Sequence, residues 1–375
     1  MLAIEALISE AVQDSKRAID ICNACRYCEG YCAVFPAMAL QREFVVADMD
    51  YLANLCHNCN GCYHACQFAP PHPFGINLPK SFAEVRLESY AEHAWPRAMG
   101  AAFHRPGVAM AGAISAITAL VFGLMLALIP GETLFGVNTG PGAFYRLVPW
   151  AVMSAVAGVS LGFSAVALVM SARHFWATTR SALTQRINLA AIRTALIDAA
   201  TLRYLGGGGD GCNDLDQSFS NLRRWLHHTL AYGFALCLAS TSVATVFHHA
   251  LAWEAPYSLL SLPVILGTLG GLGMVVGAFG LIWVKIATDP APVARRVLGG
   301  DYVLLSLLAK VAVSGLLLLA FRGTTAMGVL LAVHLGLVLA LFATLPYGKM
   351  IHAALRFTAL LKAAVERQGR VAVSG

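Results

Sequence analysis

The chain has 375 residues, of which 58% are hydrophobic and only 12% charged, and its mean hydropathy is +0.66. An ordinary soluble globular protein is about 45–50% apolar and about 25% charged, so these proportions exclude that class and point to an integral membrane protein. The net charge of +6 does not call for nucleic acid, because most basic residues sit in loops beside apolar runs, where topogenic charge accounts for them.

Polarity is uneven along the chain. Residues 1–107 have ordinary composition and hold eight of the ten cysteines. Long apolar runs begin near Val108. The expected organisation is a small N-terminal domain, 1–107, followed by a membrane domain, 108–375. The first segment, MLAIEALISEAVQDSKRAIDIC, has no basic stretch ahead of an apolar core, so it does not read as a secretory signal. Its apolar positions fall at helical spacing and predict an amphipathic helix. The cysteines are then expected in the cytoplasm, where structural disulfides are rare.

The pattern C-x2-C-x2-C-x3-C occurs twice, at Cys22, Cys25, Cys28 and Cys32 and at Cys56, Cys59, Cys62 and Cys66. In two-cluster ferredoxins the fourth cysteine of each run serves the other cluster. That rule assigns Cys22, Cys25, Cys28 and Cys66 to one [4Fe–4S] cluster, and Cys56, Cys59, Cys62 and Cys32 to a second. Zinc is the competing metal, but its sites use well-separated C-x2–4-C pairs and fit two evenly spaced runs poorly. The proline that usually follows the fourth cysteine is replaced by Ala33 and Gln67, with Pro36 and Pro70 standing later. Residues 37–54 read as helical, which favours a helical ferredoxin-like domain over a β-containing one.

Six apolar runs reach the roughly 20 residues a bilayer requires: 108–129, 147–171, 229–251, 258–284, 303–321 and 325–346. The expected fold is mainly α, a two-cluster ferredoxin-like domain on a six-helix transmembrane bundle. The connection 172–228 holds Arg173, Arg180, Arg186, Arg193, Arg203, Arg223 and Arg224. Residues 285–302 add Lys285, Arg295 and Arg296, and the tail 347–375 adds Lys349, Arg356, Lys362, Arg367 and Arg370. The opposite loops carry only Arg146 and Arg322. Positive charge marks the cytoplasmic side, so both termini, loop 172–228 and tail 347–375 are expected there. In that loop a helix is expected before GGGGDGC, which lacks the Lys-Ser/Thr of a phosphate loop and reads as a flexible joint. Cys212 and Cys237 read as bystanders.

Haem b held by histidines from facing helices is the expected membrane carrier. His334 and His352 are eighteen residues apart, five turns and about 27 Å on an unbroken helix, with Pro346 a candidate kink between them. His334 lies inside an apolar run, where an ionisable group is costly and functional by default. The third span carries His227 and His228 at its inner end and His248 and His249 at its outer end. Antiparallel packing pairs His352 with His227 or His228, and His334 with His248 or His249. Interfacial histidines such as His174 and His249 also read as plain hydrogen-bonding groups. His57, His64 and His72 are expected to hydrogen-bond near sulfur. Lys310 reads either as snorkelling to the cytoplasmic surface or as a partner for a haem propionate or quinone. No nucleophile or acid–base pair stands out, so no catalytic residue is assigned.

HLGLVLALFATLPYGKMIH is similar to the last ligand-bearing helix of respiratory nitrate reductase gamma subunits, di-haem cytochromes b, which implies haem ligation by His334 and His352. Over its whole length the chain resembles the tricarballylate (citrate) utilization protein B family, through CNACRYCEGYCAVFP, CHNCNGCYHACQFAPP, TLRYLGGGGDGC, RRWLHHTLAYGFALC and PYGKMIH. The resemblance implies a multi-pass protein of the bacterial inner membrane. It implies electron transfer from the FAD of a separate tricarballylate dehydrogenase through two [4Fe–4S] clusters and one or two b haems, with quinone as the expected acceptor. A related module serves a flavin-dependent precorrin oxygenase in cobalamin synthesis. The chain has no G-x-G-x-x-G strand–helix unit of its own, so FAD is expected on the partner alone. The competing classes are a haem-free membrane iron–sulfur redox sensor and a transporter; the latter calls for internal repeats, and no convincing one is evident.

Overall fold

The computed structural model describes residues 9–41, 43–179 and 187–374. The first eight residues of the expected N-terminal helix, and Arg180 and Arg186 of the basic loop, lie outside them. Helices dominate: α1 (Glu10–Cys25), α2 (Val34–Met38), α3 (Val46–Leu55), α4 (Gly61–His64) and α5 (Leu78–His93) form the cysteine-bearing part. Then come α6 (Pro106–Leu128), the short α7 (Gly131–Leu134) and α8 (Ala143–Leu147), α9 (Trp150–Thr179), α10 (Leu189–Ala200), α11 (Leu222–Leu251), α12 (Leu262–Ala287), α13 (Arg295–Phe321), α14 (Met327–Thr344) and α15 (Ile351–Ser374). The single β-bridge among the described residues joins Cys212 to Ser220.

Local chemistry sets the helix ends. Ser9 accepts from the Val12 N–H at the start of α1, Asn77 from Lys80 at α5, and Asn188 from Ala191 at α10, each satisfying an N–H that the helix leaves unpaired. Arg26 closes α1 in the left-handed region, its N–H on the Cys22 carbonyl, so the chain reverses directly after the first two cysteines.

Six helices are long and apolar enough to cross a membrane: α6, α9, α11, α12, α13 and α14 with its following turn. Only 6% of the apolar window of α6 is buried, against 50% of that of the last span. The span carrying His334 is therefore central and the first span faces outward. α11 and α12 pack most closely. A Cβ at Gly233 would stand 2.8 Å from the Gly270 carbonyl oxygen, and one at Gly277 only 2.6 Å from the Leu230 nitrogen. Small residues let the backbones meet, as membrane helix pairs require in the absence of a hydrophobic drive between them.

The last span does not run on to His352. α14 stops at Thr344, Leu345–Tyr347 form a 3-10 turn, and α15 begins afresh at Ile351. Proline removes a helix hydrogen bond and collides with the preceding turn. The unbroken five-turn relation between His334 and His352 is thereby replaced by two separate helices. α15 is also more than a tail. Ile351, Leu355, Ala359, Leu360 and Ala363 share one buried core with Ile19, Met49, Leu52 and Phe82 of the cysteine domain. Lys362, 1% exposed, lies 3.9 Å above the Tyr51 ring, donates to the Thr179 carbonyl and pairs with Glu366. α3, α9 and α15 are so tied together.

At the same end of the bundle Asp301 accepts Lys285 at 2.6 Å and Lys349 at 2.9 Å, joining α12, α13 and the turn after α14. The cysteine domain, α10, α15 and the 288–294 loop lie together on this side, with Asn77 donating to the Ala291 carbonyl.

Two outcomes follow for stability in detergent. Gly233→Val should force α11 from α12 and cost about 1–3 kcal/mol, seen as an earlier thermal transition. Asp301→Asn leaves two ammonium groups without their counter-charge and should cost roughly 3 kcal/mol; unchanged melting of either variant would contradict the packing.

Candidate metal centres

The two cysteine runs interleave. Cys22, Cys25, Cys28 and Cys66 line one open cavity, with Cys62 at its inner wall. Cys22 feels the charge of Cys66, Cys28 and Cys25, whereas Cys32 feels Cys59 and Cys56, and Cys62 feels Cys59, Cys32, Cys56 and, less, Cys28. The fourth cysteine of each run therefore faces the first three of the other. Burial, then neighbouring thiols, pushes Cys22 and Cys28 up to about 12. Crowded buried thiols of this kind are stable as thiolates only with a cation among them, and that chemistry fits an iron–sulfur cube. Backbone N–H groups already point at sulfur: Asn58 N–H to Cys56 and Phe68 N–H to Cys66, both at 3.4 Å. Gln67 replaces the expected proline and donates its side-chain amide to Cys25 at 3.7 Å. Asn58 and Asn60 supply left-handed turns within the second run, a conformation asparagine tolerates better than most residues.

Three guanidinium groups converge beside the second run. Arg86 donates to the carbonyls of Ala53 and Cys56 at 3.0 and 2.9 Å. Arg356 donates to Asn54 and Cys56 at 3.2 and 2.8 Å. Arg223 donates to Asn58 and His57 at 2.6 and 3.2 Å. These carbonyls end α3, where a helix leaves acceptors unpaired and partial negative charge accumulates. His57 is buried and turns its Nδ1 to the Leu55 carbonyl at 2.8 Å. Burial and then Arg356 hold it well below the usual histidine range. His72 accepts from the Phe74 N–H, and His64 Nε2 is buried without a partner. His57 and His72 thus hydrogen-bond beside the second cysteine run, and no hydrogen bond from any of the three to sulfur occurs among the described residues.

Arg356 lies one turn after His352, and Arg223 one turn before His227. The same arginines that hold the cysteine loop thus stand on the histidine-bearing helices. His352 donates Nδ1–H to the Lys349 carbonyl at 2.6 Å, which leaves Nε2 as the nitrogen with the lone pair. Burial, Arg356, Lys349 and then His227 push His352 down to about 3, so His227 lies within close electrostatic reach of it. His227 Nδ1 is buried and unpartnered. His228 turns away: its Nε2 meets the Ala200 carbonyl of α10 at 3.2 Å, beside Tyr232. Of the two inner candidates, His227 is the one placed with His352.

His334 Nδ1 meets Ser314 Oγ at 3.0 Å, and that hydroxyl gives its own proton to the Val311 carbonyl. With the hydroxyl proton on Val311 the imidazole donates from Nδ1, and its Nε2 then carries the lone pair. Metal-ligating histidines are oriented in this way by a bond from the other ring nitrogen. His248 stacks on Trp150 at 4.7 Å with its Nδ1 buried and unpartnered, and His249 meets the same indole edge-on. Neither His334 with His248 or His249 nor His352 with His227 is joined by a hydrogen bond or ring contact among the described residues; His352 and His227 interact electrostatically. His174 bonds to His93 and Arg97, as a plain hydrogen-bonding group. Lys310 is exposed, with no ion-pair partner among the described residues.

Sequence reasoning missed the loop after α10. Gly206 and Gly207 are buried, and a Cβ at Gly208 would stand 2.9 Å from the Gly30 carbonyl. The glycine run is packed against the first cysteine run rather than acting as a joint. Asn213 N–H donates to the Cys59 carbonyl at 2.9 Å, and Cys212 is 1% exposed beside Cys59. The signal in the sequence was the glycine run itself, since close backbone approach is one of the uses of glycine.

Interleaved thiols on a helical domain, seated against a bundle of apolar helices, define an iron–sulfur membrane protein. The family model described as Citrate utilization protein B matches residues 104–373, and the one described as Citrate utilization protein B Fer4-like domain matches residues 15–92. Citrate utilization protein B of Escherichia coli is 46% identical over 373 residues, covering 98% of this chain and 96% of that protein. The chain belongs to the citrate utilization protein B family. No solved structure matches it.

Arg356→Met should strand the Asn54 carbonyl, leave that of Cys56 to Arg86 alone, and cost about 1–3 kcal/mol. The loss should appear in thermal unfolding of metal-free protein, where no cofactor contributes; equal melting temperatures would remove the arginine cluster as a structural tie.

Proposed function

We propose that this chain is the membrane-bound electron-transfer subunit that re-oxidises the FAD of a partner dehydrogenase acting on tricarballylate or a citrate-like acid, with quinone as the final acceptor. The observation that supports it most is the arginine link: Arg223 and Arg356 bond to the carbonyls around the second cysteine run and stand one turn from His227 and His352. Thiol set and imidazole pair are thus held in one rigid unit, as a relay between them requires. Cys22, Cys25, Cys28 and Cys66 would hold one [4Fe–4S] cluster, and Cys56, Cys59, Cys62 and Cys32 the other. His352 and His227 would hold a b haem, with His334 and His248 available to a second. Bound clusters and haem supply single-electron steps between a two-electron flavin and a two-electron quinone.

The residues of the chain supply position and access. The cavity of the first set opens outward beside Tyr27, which is 70% exposed; a flavoprotein docks over this face. The second set is turned inward, toward α11 and α15. Arginine beside it attracts electrons into the protein, since positive charge favours the reduced, more negative state of a cluster. The bare Nε2 of His352 is preset by Lys349, and that of His334 by Ser314. On this reading the N-terminus, the basic loops and the C-terminal helix are cytoplasmic.

Protein purified anaerobically in detergent should contain about eight iron atoms per chain and a b-type absorbance band on reduction. His352→Ala and His227→Ala should each lose inner-haem absorbance, while His228→Ala retains it. Zinc in place of iron, or iron-loaded protein with no haem band at all, would overturn the reading. A partner FAD reduced by its acid should be re-oxidised by the wild-type protein in quinone-containing vesicles and at least tenfold more slowly by His352→Ala.

A further inference from the structure

Cys212 is a cysteine outside both runs, yet it is buried within the cysteine domain. It is 1% exposed, Cys59 is 6% exposed, and the two share a small apolar cluster with Leu205. Its backbone is fixed on both sides. Cys212 N–H donates to Ser220 and the Cys212 carbonyl accepts from Ser220, both at 2.8 Å, while the next N–H, of Asn213, donates to the Cys59 carbonyl at 2.9 Å. Gly211 permits the approach: its φ is +113°, and a Cβ there would stand 2.4 Å from the Ser220 carbonyl oxygen.

The thiol has two acceptors within reach. Sγ lies 3.0 Å from the Leu205 carbonyl oxygen, and the Cys59 side chain packs beside it in the same buried cluster. A thiol hydrogen rotates about the C–S bond and bonds the stronger acceptor. A thiolate that ligates iron carries charge, and hydrogen bonds to charged acceptors are about twice as strong as neutral ones. A second buried group marks the niche. Asn213 Oδ1, in a side chain 2% exposed, has no partner, and it would lie 3.4 Å from a Cβ on Gly61, which itself would be 3.9 Å from Cys59 Sγ. Protein atoms alone leave this corner unsatisfied.

We propose that Cys212 is a positioning residue for the second iron–sulfur site, its S–H donating to the Cys59 sulfur and raising the reduction potential of that cluster alone. The inference rests on the reading of Cys56, Cys59, Cys62 and Cys32 as the ligands of that cluster. Each added electron increases the negative charge on cluster and thiolate sulfurs, so a donor there stabilises the reduced state more than the oxidised one. Hydrogen bonding to sulfur is one of the levers that set cluster potentials. No such thiol donor reaches the first set among the described residues. Its sulfurs receive Gln67 and the Phe68 N–H instead. The loop thus distinguishes two clusters that their sequence motifs make alike.

The test is EPR-monitored redox titration of detergent-purified wild type, Cys212→Ala and Cys212→Ser, with iron and acid-labile sulfide measured on each. Cys212→Ala should keep the wild-type iron content and show one midpoint shifted to lower potential with the other unmoved. Cys212→Ser, which keeps a donor, should restore most of that shift. Two unmoved midpoints in Cys212→Ala would overturn the proposal. Loss of one cluster's iron in both variants would also overturn it, making Cys212 a ligand or a packing element. Wild-type protein without iron–sulfur clusters would sink the ligand reading itself, and the proposal with it.

Discussion

The carbonyl oxygens from Ala53 to Asn58 are the point on which this molecule turns. They close a helix and open a metal-binding loop, so apart from that of Leu55, which takes His57, they have no side-chain partner within their own segment. Guanidinium groups from three distant elements fill that need: Arg86 on α5, Arg223 on α11 and Arg356 on α15. Each such charged hydrogen bond contributes about 1.5–3 kcal/mol. Arginine suits the task because its planar fork reaches two carbonyls at once and stays charged when buried. One short stretch of backbone therefore fixes where the cysteine domain sits on the membrane bundle.

The same contacts shape the electrostatics. Positive charge is concentrated beside the second cysteine run and at the ends of the histidine-bearing helices that adjoin it. Farther along the same surface, Lys285 and Lys349 share Asp301. Lys349 in turn gives its carbonyl to His352, so charge pairing, helix packing and imbedding of an imidazole meet in one residue. These ties leave little freedom between the two halves of the protein.

Much of the architecture was legible in the chain. Six apolar runs became six long helices because bilayer thickness dictates their length, and the cysteine spacing led to a helical Fer4-like domain. The interruption at Pro346 was visible as a kink, but not as a full stop with a new helix on the other side. The role of α15 was hidden because an amphipathic helix carries no mark of what it covers. Helical phase set His227 nearer the face of His248 than His228, but tilt at a helix end can reverse that, and the position of His228 is seen only where α10 takes it through Ala200. The glycine run was misread as a joint because glycine signals loose chain and tight packing equally well. Cys212 looked incidental for a related reason: one cysteine far from a motif has no spacing to interpret.

The shared core of α1, α3, α5 and α15 bears on how the protein is made. A ribosome releases the cysteine runs well before the residues that seal their domain, Cys66 standing 285 positions ahead of Ile351, with six hydrophobic segments handed to the membrane in between. Until then the nascent thiols stand beside an unfinished hydrophobic surface. The cysteine domain therefore completes its core only once α15 has been made, and that helix acts as the closure that brings a domain begun far upstream to its finished state.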